Sequence, residues 1–149
     1  MRVFKNIQGG KVNVVEHTLE ILKEDPTVKI HIGTDSQVIG NGVSYSTVIA
    51  YRFNRRGVHY IATKSKIVGH MVLWNRLFKE ASDSIEVAEW LTQKINVNVE
   101  IDMDYNDDET FKSNKLISAA KGWANSLGYK VNVKPNNQIA TKAADHHCR

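Results

Sequence analysis

Cysteine and proline are scarce in this 149-residue sequence, which has one cysteine and two prolines. The lone cysteine, Cys148, cannot form an internal disulfide, so the chain is not a small disulfide-rich secreted domain, and we expect a cytoplasmic location. No apolar run approaches the roughly 20 residues that cross a bilayer, and residues 1–10 lack the apolar stretch of a secretory signal. We therefore expect a soluble protein with no membrane partner.

Linkers, internal repeats and low-complexity segments are also missing from the sequence. The length is typical of one domain, and the 42% apolar content is enough for a genuine core. We therefore expect a single domain over residues 1–149, with its oligomeric state open. The net charge of +4 is a mild basic excess, which suits a polyanionic partner without requiring one.

Strand patterns dominate the first half of the chain. The segment "VSYSTVIAYRF", residues 43–53, alternates with a period of two and lies between the turn signals "GNG" at 40–42 and "NRRG" at 54–57. Apolar runs at 28–35 and 58–65 lie on either side of these turns. Together they predict a three-stranded antiparallel meander.

The rest of the chain alternates between helical and strand patterns. The predicted elements are a helix at 14–22 before the meander and, after it, a helix at 71–95, a strand at 97–102, a helix at 108–127, a strand at 129–133 and a helix at 139–147. The apolar stripe of the 71–95 helix includes Trp74 and Phe78, which we expect in the core. Because strand–helix–strand connections make parallel pairs, the sequence predicts an α/β fold whose five-stranded mixed sheet, three antiparallel strands then two parallel, is flanked by helices.

Two predicted strands end in acidic residues. Asp35 lies in "GTDSQ" at the end of the first meander strand, and Asp102 ends the fourth strand. If these strands are parallel, both carboxylates lie at the sheet edge where ligands collect in α/β folds. Two close carboxylates resist joint ionisation unless a divalent cation such as Mg²⁺ or Mn²⁺ lies between them. Asp35 is thus a candidate metal ligand, although Asp and Ser after a strand are also ordinary turn residues.

Further carboxylates come from two predicted helices. In the 71–95 helix, Glu80 lies at the edge of the apolar stripe, whereas Glu86 points to solvent and Glu89 flanks the other side about two turns deeper. Glu80 is therefore the preferred ligand, with an ordinary rim glutamate as the alternative. The last helix contains Asp145, a residue that in isolation is usually just solvated.

Four ordered motifs extend this pattern to a family. The segments "HIGTDSQ", "LFKEASDSIEVAEWL", "VEIDMDYNDDETFKSNKLISAAKGWANSLGY" and "VKPNNQIATKAADHH" resemble the ribonuclease H-like family typified by the YkuK proteins, over residues 28–147. The resemblance implies a ribonuclease H-like fold. It also implies a catalytic, metal-binding cluster made of Asp35, Glu80, Asp102 and Asp145.

The resemblance leaves one ligand open and adds substrate contacts. Asp104 shares a face with Asp102 and can replace or supplement it as a metal ligand. Lys134 occupies the "KP" position of the family before the last helix. With Ser36 and Gln37, it is expected to contact the substrate.

The function implied by the resemblance is a metal-dependent nuclease. Two Mg²⁺ or Mn²⁺ ions would promote hydrolysis of phosphodiester bonds in RNA, DNA or a hybrid. Two alternatives stay open: a non-catalytic nucleic-acid or protein-binding module on the same fold, and a structural subunit in which the acids are accidental. Converging carboxylates repel phosphate unless metal is present, so a binding module has no use for them and the acid set favours the nuclease.

Overall fold

The computed structural model describes residues 2–54, 57–106, 113–134 and 143–144, with residues 104–106, 113–114 and 134 described by their backbone alone. The described residues form seven strands and three helices. In chain order these are β1 (Phe4–Lys5), β2 (Lys11–Val12), α1 (Val14–Glu24), β3 (Lys29–Ile39), β4 (Gly42–Phe53), β5 (Gly57–Val68), α2 (Leu73–Lys94), β6 (Val99–Asn106), α3 (Ser113–Ser126) and β7 (Lys130–Lys134).

All seven strands belong to one mixed sheet with the order β2-β1-β5-β4-β3-β6-β7. β3, β4 and β5 pair antiparallel, and β3–β6 and β6–β7 pair parallel, so the predicted meander and the predicted parallel strands are confirmed. The predicted count of five strands is wrong, because β1 and β2 add a short antiparallel pair at the β5 edge. Each has two residues, which is too short to produce a period-two pattern in the sequence.

One face of the sheet, which we call the helical face, is covered by the helices. Ile32 of β3 and Ile49 of β4 are fully buried there, in one core with Val14 of α1, Leu91 of α2 and Ile117 of α3. The predicted helices 14–22, 71–95 and 108–127 correspond to α1, α2 and α3. No helix in the described ranges combines the length and apolar character needed to span a membrane.

The opposite face, which we call the C-terminal face, is covered near its centre by the end of the chain. Val48 and Ala50 of β4 and Ala62 of β5 form a second apolar cluster with Ala144, which is fully buried. Residues 143–144 are helical, and the rest of the predicted 139–147 helix lies outside the described residues. Both faces of β4 are therefore buried near its centre, which explains why every residue from Val48 to Tyr51 is apolar.

Trp74 and Phe78 correct the expectation that the whole stripe of α2 lies in the core. They are 45% and 47% exposed, and Phe78 stacks on Trp123 of α3 with ring centroids 6.1 Å apart. The sheet-facing positions in this part of α2 belong instead to Glu80 and Ser84, which bond to hydroxyl groups of β3. Polar contacts therefore displace the aromatic stripe towards α3.

A histidine pair joins α1 to β5. The Nε2 atoms of His17 and His59 lie 2.8 Å apart, and His59 stacks on Tyr51 with centroids 5.9 Å apart. One nitrogen must donate and the other accept, so the contact cannot form when both rings are fully protonated. Burial lowers the pKa of His17 and the nearby His59 lowers it further, whereas Glu20 raises it. Burial also lowers the pKa of His59.

This pair predicts a loss of stability in mild acid. Because both histidines bind protons more weakly when folded, the unfolded chain takes up more protons as the pH falls below about 6.5, and the free energy of unfolding decreases. Urea unfolding between pH 7.5 and 5 should give a shallower pH dependence for His59→Gln than for the wild type. His70→Gln, at an exposed histidine, should keep the wild-type slope. Identical slopes for all three proteins would contradict the prediction.

Candidate active site

The pairing of β3 with its two neighbours ends at different points. β3 stays paired with β4 as far as Ile39, but its parallel pairing with β6 stops where Gly33 lies opposite Asp102. Beyond Gly33, no described strand pairs with the β6-facing edge of β3. We call the region between residues 34–37 of β3 and 102–104 of β6 the fork.

Asp35 and Asp102 lie at the fork on the C-terminal face. Asp102 is opposite Gly33, and Asp35 is two residues further along β3, so both side chains leave the sheet on the same side. Strand spacing and rise put their Cα atoms about 8 Å apart. Asp35 is partly exposed and accepts a 2.9 Å hydrogen bond from the backbone N–H of Ser36. Asp102 is only 1% exposed.

Two side chains from the neighbouring strands hold Asp102. Its Oδ1 accepts hydrogen bonds from Nδ2 of Asn132 at 2.9 Å and from Nδ1 of His31 at 3.1 Å. Since an ionised carboxylate only accepts, Nδ1 of His31 carries a proton in this arrangement. His31 is fully buried, and its Nε2 lies 3.9 Å from Oε2 of Glu100.

Glu100 is the second carboxylate of this polar layer. Nδ2 of Asn132 also donates to Oε1 of Glu100 at 3.1 Å, so one amide group bridges the two acids of β6. Burial raises the pKa of Glu100, but the hydrogen bond from Asn132 and the electrostatic interactions with His31, Lys130 and Lys29 outweigh this effect, so the pKa is lowered overall. The arrangement therefore favours the negative charge of Glu100 in the neutral pH range.

Glu80 approaches the fork from the helical face. Its Oε2 accepts a short hydrogen bond from Oγ of Ser36, and Glu80 is 6% exposed. Nη2 of Arg76, one helical turn earlier, donates to the carbonyl oxygen and Oγ of Ser36 at 3.3 and 3.2 Å. Because Asp35 and Ser36 are consecutive strand residues, Asp35 and Glu80 lie on opposite sides of β3. Both flank its open edge.

A chain of hydroxyl groups fixes α2 against the sheet next to Glu80. Oγ1 of Thr34 lies 2.9 Å from Oγ1 of Thr47 and 2.8 Å from Oγ of Ser84, and all three residues are buried. Ser84 is one turn after Glu80 on α2. The contact therefore sets the helix position that brings the Glu80 carboxylate to Ser36.

Three of the remaining predicted site residues are described by their backbone alone or not at all. Asp145 lies outside the described residues, and Asp104 and Lys134 are described by backbone alone. Gln37 is exposed on β3. Within the described ranges, no three acidic, histidine or cysteine side chains form a metal-binding group. The four-acid cluster therefore stays a prediction.

Sequence reasoning missed the side chains that hold the acids in place. His31 is four residues before Asp35 and on the same face of β3. Asn132 lies between the apolar residues Val131 and Val133 of β7. Arg76 is four residues before Glu80 on α2. Period-two and period-3.6 spacing could have indicated all three residues, but not which acid each one contacts.

The comparison with family models agrees with the fold. Residues 13–149 match a family model described as ribonuclease H-like. The chain is similar to the prototype foamy virus protease–reverse transcriptase, with a TM-score of 0.45 and 15% identity over 82% of this chain and 20% of that one. It is also similar to the N-terminal RNase H domain of a Mycobacterium tuberculosis protein, solved as a fusion with maltose-binding protein, with a TM-score of 0.40 and 16% identity over 82% of this chain and 94% of that one.

The two structural likenesses are distant, and this chain spans about a fifth of the foamy virus chain. A comparison with curated proteins finds no significant sequence match. The match that assigns a family is therefore the one to the family model, which covers nearly the whole chain.

Removing the amide that bridges Asp102 and Glu100 should destabilise the protein. Asn132→Ala leaves one oxygen of the buried Asp102 and one of the partly buried Glu100 without their shared donor, which costs about 2 kcal/mol in the free energy of unfolding. Urea unfolding at neutral pH measures this loss. Asn98→Ala, at an exposed asparagine before β6, should change stability by no more than about 0.5 kcal/mol. Equal effects of the two substitutions would show that the bridge contributes no stability.

Proposed function

The chain belongs to the ribonuclease H-like family, and we propose from this premise that it is a metal-dependent nuclease that hydrolyses phosphodiester bonds of RNA or DNA. The observation that carries the proposal is the fork. There, Asp35 and Asp102 leave neighbouring parallel strands on one face, at the carboxyl end of the β3–β6 pairing. This is the edge at which open α/β sheets bind ligands.

The side chains at the fork fit a hard divalent cation. Carboxylate oxygens are the ligands that Mg²⁺ and Mn²⁺ prefer, and Asp35, Asp102 and Glu80 all offer them. The hydrogen bonds from His31 and Asn132 to Asp102 are the outer contacts that orient a ligating carboxylate.

The proposed ligand set is completed from the C-terminal face. Ala144 is fully buried against Val48 and Ala50, on the same face as Asp35 and Asp102. The next residue is Asp145, which we propose as the fourth ligand. Asp104 follows Asp102 by two residues on β6, so we retain it as the alternative or additional ligand.

Two bound Mg²⁺ or Mn²⁺ ions would activate a water molecule and neutralise the charge that develops on the phosphate. Asp35, which is more exposed than Asp102 and Glu80, would help to hold the ions. Asp102, immobilised by His31 and Asn132, would keep its carboxylate in one orientation without a rotamer change. Glu80 would hold its ligand position through Ser36.

Ser36 has a different proposed role from the one that the sequence indicates. Its hydroxyl donates to Glu80 and its oxygens accept from Arg76, so it acts as a positioning residue between helix and strand. Gln37 is exposed next to the fork and remains a proposed contact to the substrate. Lys134, at the end of β7, remains a second proposed contact.

Metal binding should appear as a gain in thermal stability. Titration with Mn²⁺ should raise the unfolding temperature of the wild type, because a ligand that binds only the folded state stabilises it by mass action. Asp35→Asn removes a charged ligand and should abolish most of this gain. Glu24→Gln, at an exposed acid that ends α1 before the first residue of β3, should respond like the wild type. Equal gains in all three proteins would refute the metal site.

Cleavage should depend on the same carboxylates. The wild type, incubated with single strands, duplexes and RNA–DNA hybrids in Mn²⁺, should cut at least one polymer. Asp35→Asn and Glu80→Gln should each lower the rate by about 10²-fold or more, as loss of a group that stabilises charge in the transition state does. Binding of these polymers without any cleavage would instead favour a non-catalytic nucleic-acid-binding module.

A further inference from the structure

The histidine pair on the helical face of the sheet is not used by the proposed nuclease site. His17 of α1 and His59 of β5 are both partly exposed, and their Nε2 atoms lie 2.8 Å apart. The two residues are 42 positions apart in the chain, so the contact links the helix to the sheet. Imidazole nitrogens are ligands that suit Zn²⁺, Cu²⁺ and Ni²⁺.

Tyr51 of β4 holds both histidine rings in place. It is fully buried, and its hydroxyl group lies 2.7 Å from Oγ1 of the buried Thr18 of α1. His59 stacks on the Tyr51 ring with centroids 5.9 Å apart, and His17 meets the same ring edge-on at 5.6 Å. Packing therefore positions the two Nε2 atoms in addition to their own hydrogen bond. Ligands that are held in this way lose little conformational entropy when an ion binds.

The protonation state of the pair suits a metal ion. A histidine ligates through an unprotonated nitrogen, and burial lowers the pKa of both His17 and His59, which favours the neutral rings at neutral pH. Without a metal ion, one Nε2 atom carries a proton and donates it to the other. If an ion takes both Nε2 lone pairs, this proton moves to Nδ1 of the same ring. Both rings then stay neutral, and no proton is released to solvent.

The spacing of the two nitrogens is close to that of two ligands on one ion. With Zn–N bonds of about 2.0–2.1 Å and a tetrahedral angle, two ligating nitrogens lie about 3.3 Å apart. The Nε2 atoms of His17 and His59 are about 0.5 Å closer than this distance. A small rotation of the two partly exposed rings therefore makes room for an ion between them.

Glu20 supplies a third ligand from α1. It is exposed and lies three residues after His17, so the two side chains are neighbours on the helix surface. The charge of Glu20 acts on the His17 ring, where it raises the pKa. The described residues contain no three-ligand group that is already assembled, so Glu20 has to change its rotamer to reach the ion.

We infer that His17 and His59 form a site for a divalent transition-metal ion that prefers nitrogen ligands, with Glu20 as the third protein ligand and water in the remaining position. Zn²⁺ is the probe for this class of ion. A bound ion would join α1 to β5 and stabilise the helix on the sheet, because it binds only the folded arrangement.

The histidine site is separate from the fork. His59 pairs with Tyr51, and Asp35 pairs with Ser46, which is five residues from Tyr51 on β4. This is a separation of about 17 Å along the strand. The proposed ligands of the fork are carboxylates, which suit Mg²⁺ and Mn²⁺, whereas the imidazoles select a softer ion. The inference therefore does not depend on the nuclease proposal.

Calorimetric titration of the full chain with Zn²⁺ at pH 7.5 tests the site. His17→Gln and His59→Gln should each weaken one Zn²⁺ site at least about tenfold, since the loss of even an outer contact of a ligand costs about 10–100-fold. His70→Gln, at an exposed histidine outside the pair, should bind like the wild type. Glu20→Gln should weaken binding, whereas Glu24→Gln, at another exposed acid of α1, should not.

The histidine ring resonances of the wild type provide a measurement that does not depend on the folding of a variant. The ring nitrogen signals of His17 and His59 should shift together as Zn²⁺ is added. Unshifted signals from either ring would overturn the inference. Wild-type affinity for Zn²⁺ in both His17→Gln and His59→Gln would overturn it as well.

Two further variants separate the histidine site from other places that can bind Zn²⁺. Asp35→Asn changes the fork, and Cys148→Ser removes the thiol near the end of the chain. Both variants should keep the Zn²⁺ affinity of the histidine site. A loss in either variant as large as that in His59→Gln would assign the ion to the fork or to the end of the chain, and would overturn the inference.

Discussion

The register in which β6 pairs with β3 is the constraint on which the candidate site depends. It places Asp102 opposite Gly33 and, two residues earlier, Glu100 opposite His31. The pairing of β6 with β7 places Asn132 opposite Asp102. A slip of one residue in either pairing would send these side chains to the helical face and separate Asp102 from both donors. A buried carboxylate without hydrogen-bond donors lowers the free energy of unfolding, so the hydrogen bonds of this polar layer favour the observed register over its alternatives.

The same register explains why the two faces of the sheet differ. On the helical face, Ile32 and Ile49 join an apolar core, and polarity begins only at Thr34, where the hydroxyl chain to Ser84 starts. On the C-terminal face, polar side chains begin at His31 and continue to Asp35. Val48 and Ala50, which lie beside them on β4, are covered by Ala144. The C-terminal face is therefore apolar over β4 and polar towards β6.

Most of the fold could be predicted because its signals are local and long. β4 and α2 extend over 12 and 22 residues, which gives their periodicity enough repeats to be recognised. The parallel order of β3, β6 and β7 followed from the handedness of helical crossovers. β1 and β2 could not be found, because two residues carry no period and their pairing with each other and with β5 is a tertiary event.

The positions of Asp35 and Asp102 at the edge of the sheet could be predicted, but the side chains around them could not. Strand ends identify Asp35 and Asp102, since alternation and chain position are both visible in the sequence. Helical spacing identifies Glu80 as a residue at the edge of the apolar stripe. It does not show that the Glu80 carboxylate bonds to Ser36 on the face of β3 opposite to Asp35. The angular position of a helical residue is fixed relative to its own helix, whereas the contact depends on how α2 is placed on the sheet. The threonine and serine hydroxyls set that placement, and their pairing is not encoded in any local pattern.

Opposite charges lie on one rung of the sheet, on its C-terminal face. Asp35 lies at one end of the rung and Lys64 at the other, with the small residue Ser46 between them. An anion is attracted to the Lys64 end and repelled from the Asp35 end, unless dications neutralise the acids. The distance of about 10 Å between the two ends exceeds the Debye length of about 8 Å at physiological ionic strength, so the two side chains interact only weakly through solvent and the charge nearest to a ligand dominates.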